Sequence, residues 1–210
     1  MSDGGYRRLT VEDIRAALGE PDAPVRQKIV RTLDVSAQRF IAHSPFVCLG
    51  TASKDGADAS PRGDNPGFVR VLDSTTVALP DRTGNNLCDS FRNVIENPSV
   101  GMLFIVPGMR ETLRVNGNGF VTDDRDLLRR FEVDGRIPKL ALVVSVTEVY
   151  FHCGKSLIRS RLWDPDAQLI APHVTLGSNV FSMHNVERDK VSGTASQLGE
   201  VLERSYVTEL

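Results

Sequence analysis

The run Phe46-Val47-Cys48-Leu49-Gly50-Thr51-Ala52, followed by Ser53-Lys54-Asp55-Gly56, restricts this chain more than any other segment. An apolar run of that length reads as a buried strand, and an Asp-Gly pair directly after it is a tight-hairpin signature. Ala57 to Arg62 is then the returning strand. Pro61 has no N–H to give to a ladder, so this strand ends at a sheet edge or leaves the sheet. Further strand-like runs follow at Phe68–Leu72, Thr75–Leu79, Val100–Val106, Glu111–Thr122 and Leu140–Phe151, with turns at Asp73-Ser74 and Pro107-Gly108. In the Glu111–Thr122 run, Leu113 and Val115 face inward and Arg114 and Asn116 outward. Strands spaced about 8–12 residues apart favour an antiparallel barrel over a parallel sheet.

Helical spacing is confined to the ends and to short insertions. Thr10 is an N-cap ahead of Glu12-Asp13, Leu9, Ile14 and Leu18 can share a face, and Gly19 stops the helix. Val25, Ile29, Val30, Leu33, Phe40 and Ile41 have helical spacing, with a break at Asp34 or Ser36 and an end at His43-Ser44-Pro45. Cys88–Glu96 reads as a helix with Phe91, Val94 and Ile95 on one face, terminated by Asn97-Pro98. Asp123-Asp124 begins a short helix, Ser156–Leu162 is a short basic helix or loop, and Ser196–Tyr206 is a closing helix. The expected fold class is mainly β with flanking helices (α+β). It is one domain overall: a helical segment over 1–45 packing on the barrel, a core over 46–165 and an extension over 166–210.

Several functions are set aside by charge and motif. With 25 basic and 27 acidic residues the formal net charge is −2, which argues against a chain built to neutralise nucleic-acid phosphates. Cys48, Cys88 and Cys153 are too few and too scattered for a disulfide framework or a zinc site, so a reducing, cytoplasmic setting is expected. The polar N-terminus is unlike a signal peptide, and no apolar run approaches the ~20 residues that span a bilayer, so no membrane partner is expected. Gly154-Lys155-Ser156 is not a P-loop, because Val149 stands where its first glycine belongs. His43, His152, His173 and His184 have no metal-ligand spacing, and no metal is expected.

Two polar, glycine-bearing segments remain, each beside a strand: Ser60-Pro61-Arg62-Gly63-Asp64 and Arg82-Thr83-Gly84-Asn85-Asn86. A guanidinium makes bidentate bonds to phosphate oxygens, and glycine lets backbone N–H groups approach them. The second segment leads into a helix, whose N-terminus adds partial positive charge. Each alone reads as a surface turn; together at neighbouring strand ends they have the composition of an anion site. A third cluster, His152, Lys155, Arg159 and Arg161 beside Trp163, follows the last long strand and reads as a solvated basic loop or a ligand-facing one.

The order of these segments, with Asn93-Val94-Ile95-Glu96-Asn97-Pro98-Ser99-Val100 and Glu111-Thr112-Leu113-Arg114-Val115-Asn116-Gly117, resembles the pyridoxamine 5′-phosphate oxidase-related flavoproteins over about residues 35–165. The resemblance implies an antiparallel split β-barrel of the FMN-binding type. It also implies a homodimer with FMN at the subunit interface, and hydride transfer between that flavin and an unidentified small substrate. By position, Ser60, Arg62, Gly63 and Asp64 fall on the ring and phosphate side. Pro80, Asp81, Arg82, Asn85 and Asn86 fall along the ribityl phosphate, and Thr112 and Arg114 on the strand that approaches the ring or phosphate. His152, Lys155, Arg161 and Trp163 would face the substrate, from either subunit. No catalytic acid or base is implied. The usual Ser-Arg-Lys phosphate loop and C-terminal Arg-x-His signature are missing here, so FMN carries over better than a vitamin B6 substrate does. The alternative is a storage or sensor protein for flavin or haem, since related barrels bind haem or a deazaflavin.

Overall fold

The structure, a computed structural model, describes residues 5–170 together with 197, 199–201 and 203–204. Among these, β1 (Phe46–Ser53), β2 (Gly56–Gly63), β3 (Arg70–Asp73), β4 (Thr76–Pro80), β5 (Ser99–Ile105), β6 (Thr112–Thr122) and β7 (Ala141–His152) form one antiparallel sheet. Its strand order is β2-β1-β5-β6-β7-β4-β3. The Asp-Gly hairpin forms as its residues require: β1 and β2 pair from Phe46↔Gly63 to Ser53↔Gly56. β2 is an edge strand, so Pro61 leaves no inner ladder bond unmade.

One face of each long strand feeds a single core. Val47 and Leu49, Met102 and Phe104, Leu113 and Val115, Leu142 and Val144, and Val77 and Leu79 belong to one buried cluster. The buried face runs without a break from β1 across β5, β6 and β7 to β4, the single core of a split barrel. Two helices close it, α3 (Val35–His43) through Phe40 and Ile41, and α4 (Asp89–Glu96) through Phe91 and Val94. A smaller cluster of Ala78, Leu128, Phe131, Ala141 and Val143 lies around α5 (Arg125–Arg129).

Several helical expectations shift. The first helix, α1 (Val11–Leu18), has the expected Thr10 N-cap, which Asp13 completes into a capping box, but it buries none of its residues, and Leu9, Ile14 and Leu18 are exposed. α2 is only Ala23–Gln27. Val30 is not helical; it exchanges two hydrogen bonds with Val149 of β7, at 3.0 and 2.7 Å. Asp34 makes the break, its side chain accepting from the Ala37 N–H at 2.7 Å as the N-cap of α3. Ile95 of α4 is 76% exposed rather than packed. The buried stripe is Ser90, Phe91, Asn93 and Val94, because Ser90 and Asn93 have polar partners on the barrel. Asn93 Nδ2 donates to Thr51 Oγ1 at 3.1 Å and to Asp58 Oδ2 at 2.6 Å, which ties α4 to β1 and β2. The Ser196–Tyr206 helix falls largely outside the described residues, of which 197, 199–201 and 203–204 are helical.

Candidate functional site at the strand ends

The end of β2, the end of β4 and the start of α4 enclose a cavity of about 410 Å³. That is within the usual range for small-molecule sites, roughly 300–1,000 Å³. The loop from β4 to α4 shapes it. Asn86 and Cys88 both have φ +57°, and Asn85 Oδ1 accepts the Leu87 N–H at 3.1 Å. Asparagine tolerates left-handed backbone and makes such local turns readily. Cys88 is the N-cap of α4 without a side-chain capping bond, so the helix presents its first N–H groups toward the loop.

Most of the expected cofactor residues meet here. β2 contributes Ser60, Arg62 and Gly63 to the wall, the β4 end contributes Pro80, Asp81 and Arg82, and the loop contributes Asn85 and Asn86. Arg62 is braced across the cavity: Nη2 donates to Ser90 Oγ at 3.0 Å and Nη1 to the Pro61 carbonyl at 2.9 Å. Ser90 in turn donates to Ser60 Oγ at 3.1 Å. Asp81 is half-buried, and burial pushes its carboxyl above the ordinary value, against the opposing pull of Arg62 and Lys139.

Arg82 divides its donors. Nε bonds Asp64 Oδ2 at 2.5 Å and Nη1 bonds the Phe131 carbonyl at 2.9 Å. Asp64 does not line the main cavity; it lies in an adjoining recess of about 70 Å³ with Arg82 and Phe131. There it orients the guanidinium. Phe68, Leu87, Cys88, Ser90 and Phe91 also line the cavity without being marked as site residues by sequence pattern. Phe91 was visible only as a core residue, and Ser90 carries no signal in the sequence beyond its place in the first turn of α4.

Thr112, Arg114, His152, Lys155, Arg161 and Trp163 lie elsewhere. Thr112 pairs with His152 and Arg114 with Tyr150 across β6 and β7. The Arg114 guanidinium and the Lys28 ammonium each lie 5.0 Å from the centre of the Tyr150 ring. The His152 ring is 4.8 Å from that of Tyr150. Burial first, then Arg114 and Lys28, hold the His152 imidazole below its usual pKa. Lys155 opens a short helix, α6 (Lys155–Ser160). Arg161 pairs with Asp164 at 2.6 Å, and Trp163 Nε1 donates to the Met109 carbonyl at 2.7 Å. None of these six residues lines the cavity. β1, β5 and β6 separate β2 from β7, and Pro80 pairs with Ala141, at the end of β7 opposite His152.

The His152 environment predicts a pH effect. A histidine whose folded pKa is lowered favours the neutral form. Its contribution is present above the unfolded value of about 6.5 and is lost as pH falls through the folded value. The melting temperature of the protein is therefore expected to drop between about pH 7.5 and pH 5, and less so in His152→Gln, where this group no longer titrates. Equal drops in both proteins would remove His152 as a contributor.

Together, the cavity offers guanidinium groups, carboxamides, a helix N-terminus and the apolar side chains of Phe68, Leu87 and Phe91. Such a wall suits a ligand with an anionic or hydroxyl-rich end and a flat apolar part. Among the described residues no cluster of histidine, cysteine and carboxylate side chains could hold a metal ion. No described helix is long and apolar enough to cross a membrane.

Residues 33–153 match the sequence model of the family described as pyridoxamine 5′-phosphate oxidase. No curated protein matches the chain. Solved structures resemble it at low identity. HupZ from Group A Streptococcus is 15% identical, with 55% of this chain and 90% of that chain covered and a TM-score of 0.46. A protein from Clostridium acetobutylicum related to general stress protein 26, of the pyridoxinephosphate oxidase family, is 14% identical over 57% and 87% of the two chains, with a TM-score of 0.44. An FMN-binding protein from Syntrophomonas wolfei is 12% identical over 55% and 82%, with a TM-score of 0.43.

Proposed function

This chain belongs to the pyridoxamine 5′-phosphate oxidase family, and on that premise we propose that it binds FMN in the cavity between β2, β4 and α4 and acts as an FMN-dependent oxidoreductase on a small molecule. The observation that carries this reading is the convergence of Arg62, Arg82, Asn85, Asn86 and the α4 N-terminus on one cavity of about 410 Å³. The residues fit the group. Arg62, the side-chain amides of Asn85 and Asn86, and the first N–H groups of α4 would hold a phosphate and its polyol chain. Phe68, Leu87 and Phe91 would exclude water from an adjoining ring. When bound, FMN supplies the two-electron redox chemistry. The chain's own part is to orient the cofactor and to set its electrostatic surroundings, so no side chain is assigned as catalytic.

We infer a homodimer as well, on the same family premise. In one chain, His152 and Trp163 stand apart from the cavity, so they could face its ligand only from a second copy. The outward side of β1 and β5 carries Phe46, which is 37% exposed, beside half-buried Cys48, Leu103 and Ile105. This gives such a copy an apolar surface to cover. A cytoplasmic setting agrees with three unpaired cysteines, Cys48, Cys88 and Cys153. The separation of His152–Trp163 from the cavity also favours a second reading, a flavin-binding protein without turnover.

Purification followed by absorption spectroscopy and identification of the released chromophore tests the first step, and an oxidised flavin spectrum with FMN released on denaturation is expected. A haem Soret band, or a colourless protein that takes up no added FMN, would overturn it. Oxidation of pyridoxamine phosphate or another reductant by the loaded protein then separates enzyme from binder.

A further inference from the structure

The cavity wall carries no surplus of positive charge. Arg62 and Arg82 line it, but so do Asp81 and Asp89. Arg82 is further neutralised by Asp64, which lies 18% exposed against its Nε. Arg62 spends Nη1 and Nη2 on the Pro61 carbonyl and on Ser90. A phosphate entering here therefore meets one guanidinium already paired with a carboxylate and two further carboxylates. Those two are not alike. Asp89, at the start of α4, is 52% exposed and lies 3.9 Å from Arg92, so solvent and that cation screen it. Asp81 is half-buried at the β4 end, its backbone N–H fixed on the Leu140 carbonyl at 2.9 Å, and among the described residues its carboxylate accepts no side-chain hydrogen bond.

We propose that Asp81 couples occupation of this cavity by a phosphate-bearing ligand to the uptake of a proton, so that the site selects its ligand by total charge as well as by shape. The inference rests on the flavin-phosphate reading of the cavity. The charged groups near Asp81 are Arg62 from β2, Lys139 from the segment before β7, Arg82 on the following loop with its partner Asp64 from the end of β2, and Asp89 from α4; Arg62 and Lys139 act on its carboxyl. The Cys88 thiol is the remaining titratable group of the wall. Arg62 and Lys139 favour the Asp81 carboxylate, and burial opposes it and prevails, so its folded pKa is raised in the free protein. A phosphate brought into the same cavity acts in the same direction as burial, because like charges disfavour one another. By linkage, a ligand that raises the pKa of a group binds with proton uptake, and its affinity falls as pH rises through the free-state value. A neutral polyol has no such charge and would bind without this coupling.

A carboxyl with a raised folded pKa contributes most below the unfolded value of about 3.9, and the contribution is lost as pH rises through the folded value.

The test is titration of FMN into the full chain, stripped of its chromophore, from about pH 4 to about pH 8. Wild type, Asp81→Asn and, as the ligand control, riboflavin in place of FMN are compared by quenching of flavin fluorescence. The ratio of wild-type to Asp81→Asn dissociation constants is expected to climb with pH to about tenfold or more for FMN and to stay near one for riboflavin. Comparing the two proteins at each pH cancels the phosphate's own ionisation near pH 6. Calorimetry of the unsubstituted protein in two buffers of different ionisation enthalpy reads proton uptake directly and needs no variant. A constant ratio across the range, an equal climb with riboflavin, or no proton uptake beyond that of free FMN would overturn the role of Asp81. Failure of both proteins to bind FMN at any pH would instead overturn the flavin reading, and this inference with it.

Discussion

Arg82→Ala combined with Asn85→Ala is expected to strip the purified protein of most of its flavin, at least about tenfold by the flavin-to-protein absorbance ratio. Hydrogen bonds to charged groups contribute about 1.5–3 kcal/mol each, and tenfold is about 1.4 kcal/mol, so loss of one such contact accounts for the effect and loss of two exceeds it. Arg82 acts in two ways, and the variants must separate them. Its Nε and Nη1 join Asp64 and the Phe131 carbonyl, so Arg82→Ala also loosens the attachment of the β4 end to the segment after α5. Among the described residues the Asn85 side chain bonds the Leu87 N–H of its own loop and no other group, so Asn85→Ala disturbs the cavity with little effect elsewhere. The double variant is therefore expected to melt lower than wild type, and Asn85→Ala alone to melt near it while already losing flavin. Undiminished flavin in the double variant would sink the assignment of this loop to the phosphate.

Gly117→Ala is expected to be the most damaging single methyl group in the barrel. Gly117 sits at the bulge where the β6–β7 register shifts, and a Cβ there would collide with the Ser145 carbonyl oxygen and lie 2.7 Å from Val144 Cγ1. The obstacle is backbone of the partner strand, so it cannot rotate away. Overpacking of this kind costs about 3 kcal/mol or more, which lowers the melting temperature of a chain this size by about 6–12 °C. Gly119→Ala is the control. Its Cβ would meet Leu142 Cδ1 at 2.9 Å, the end of a side chain that can adjust, and a smaller loss is expected. A Gly117→Ala protein that melts with the wild type would show that β6 and β7 do not approach so closely.

The hairpin over Phe46–Gly63 and the alternation of Leu113, Val115 against Arg114, Asn116 were legible in the sequence because pleat and turn chemistry act over a few residues. So were Thr10, Asp34 and Pro61, each acting through its own backbone groups. Val30 has helical spacing in the sequence yet is not helical, because its partner, Val149, is 119 positions away. Ile95 was misread because apolar spacing says nothing of Ser90 and Asn93, whose buried hydroxyl and amide are admitted by Ser60, Thr51 and Asp58.

For the candidate site the division is similar. Arginine, asparagine and glycine beside two strand ends announced an anion site from residue chemistry alone. That Asp64 holds Arg82, that Ser90 braces Arg62, and that Asp81 is half-buried within the wall depended on the barrel bringing β2, β4 and α4 together. The sequence by itself determined local structure and the kinds of groups available. Only the tertiary structure decided which charges are already spent and which face the cavity, because electrostatic pairing and burial act across space between residues that the chain order leaves far apart.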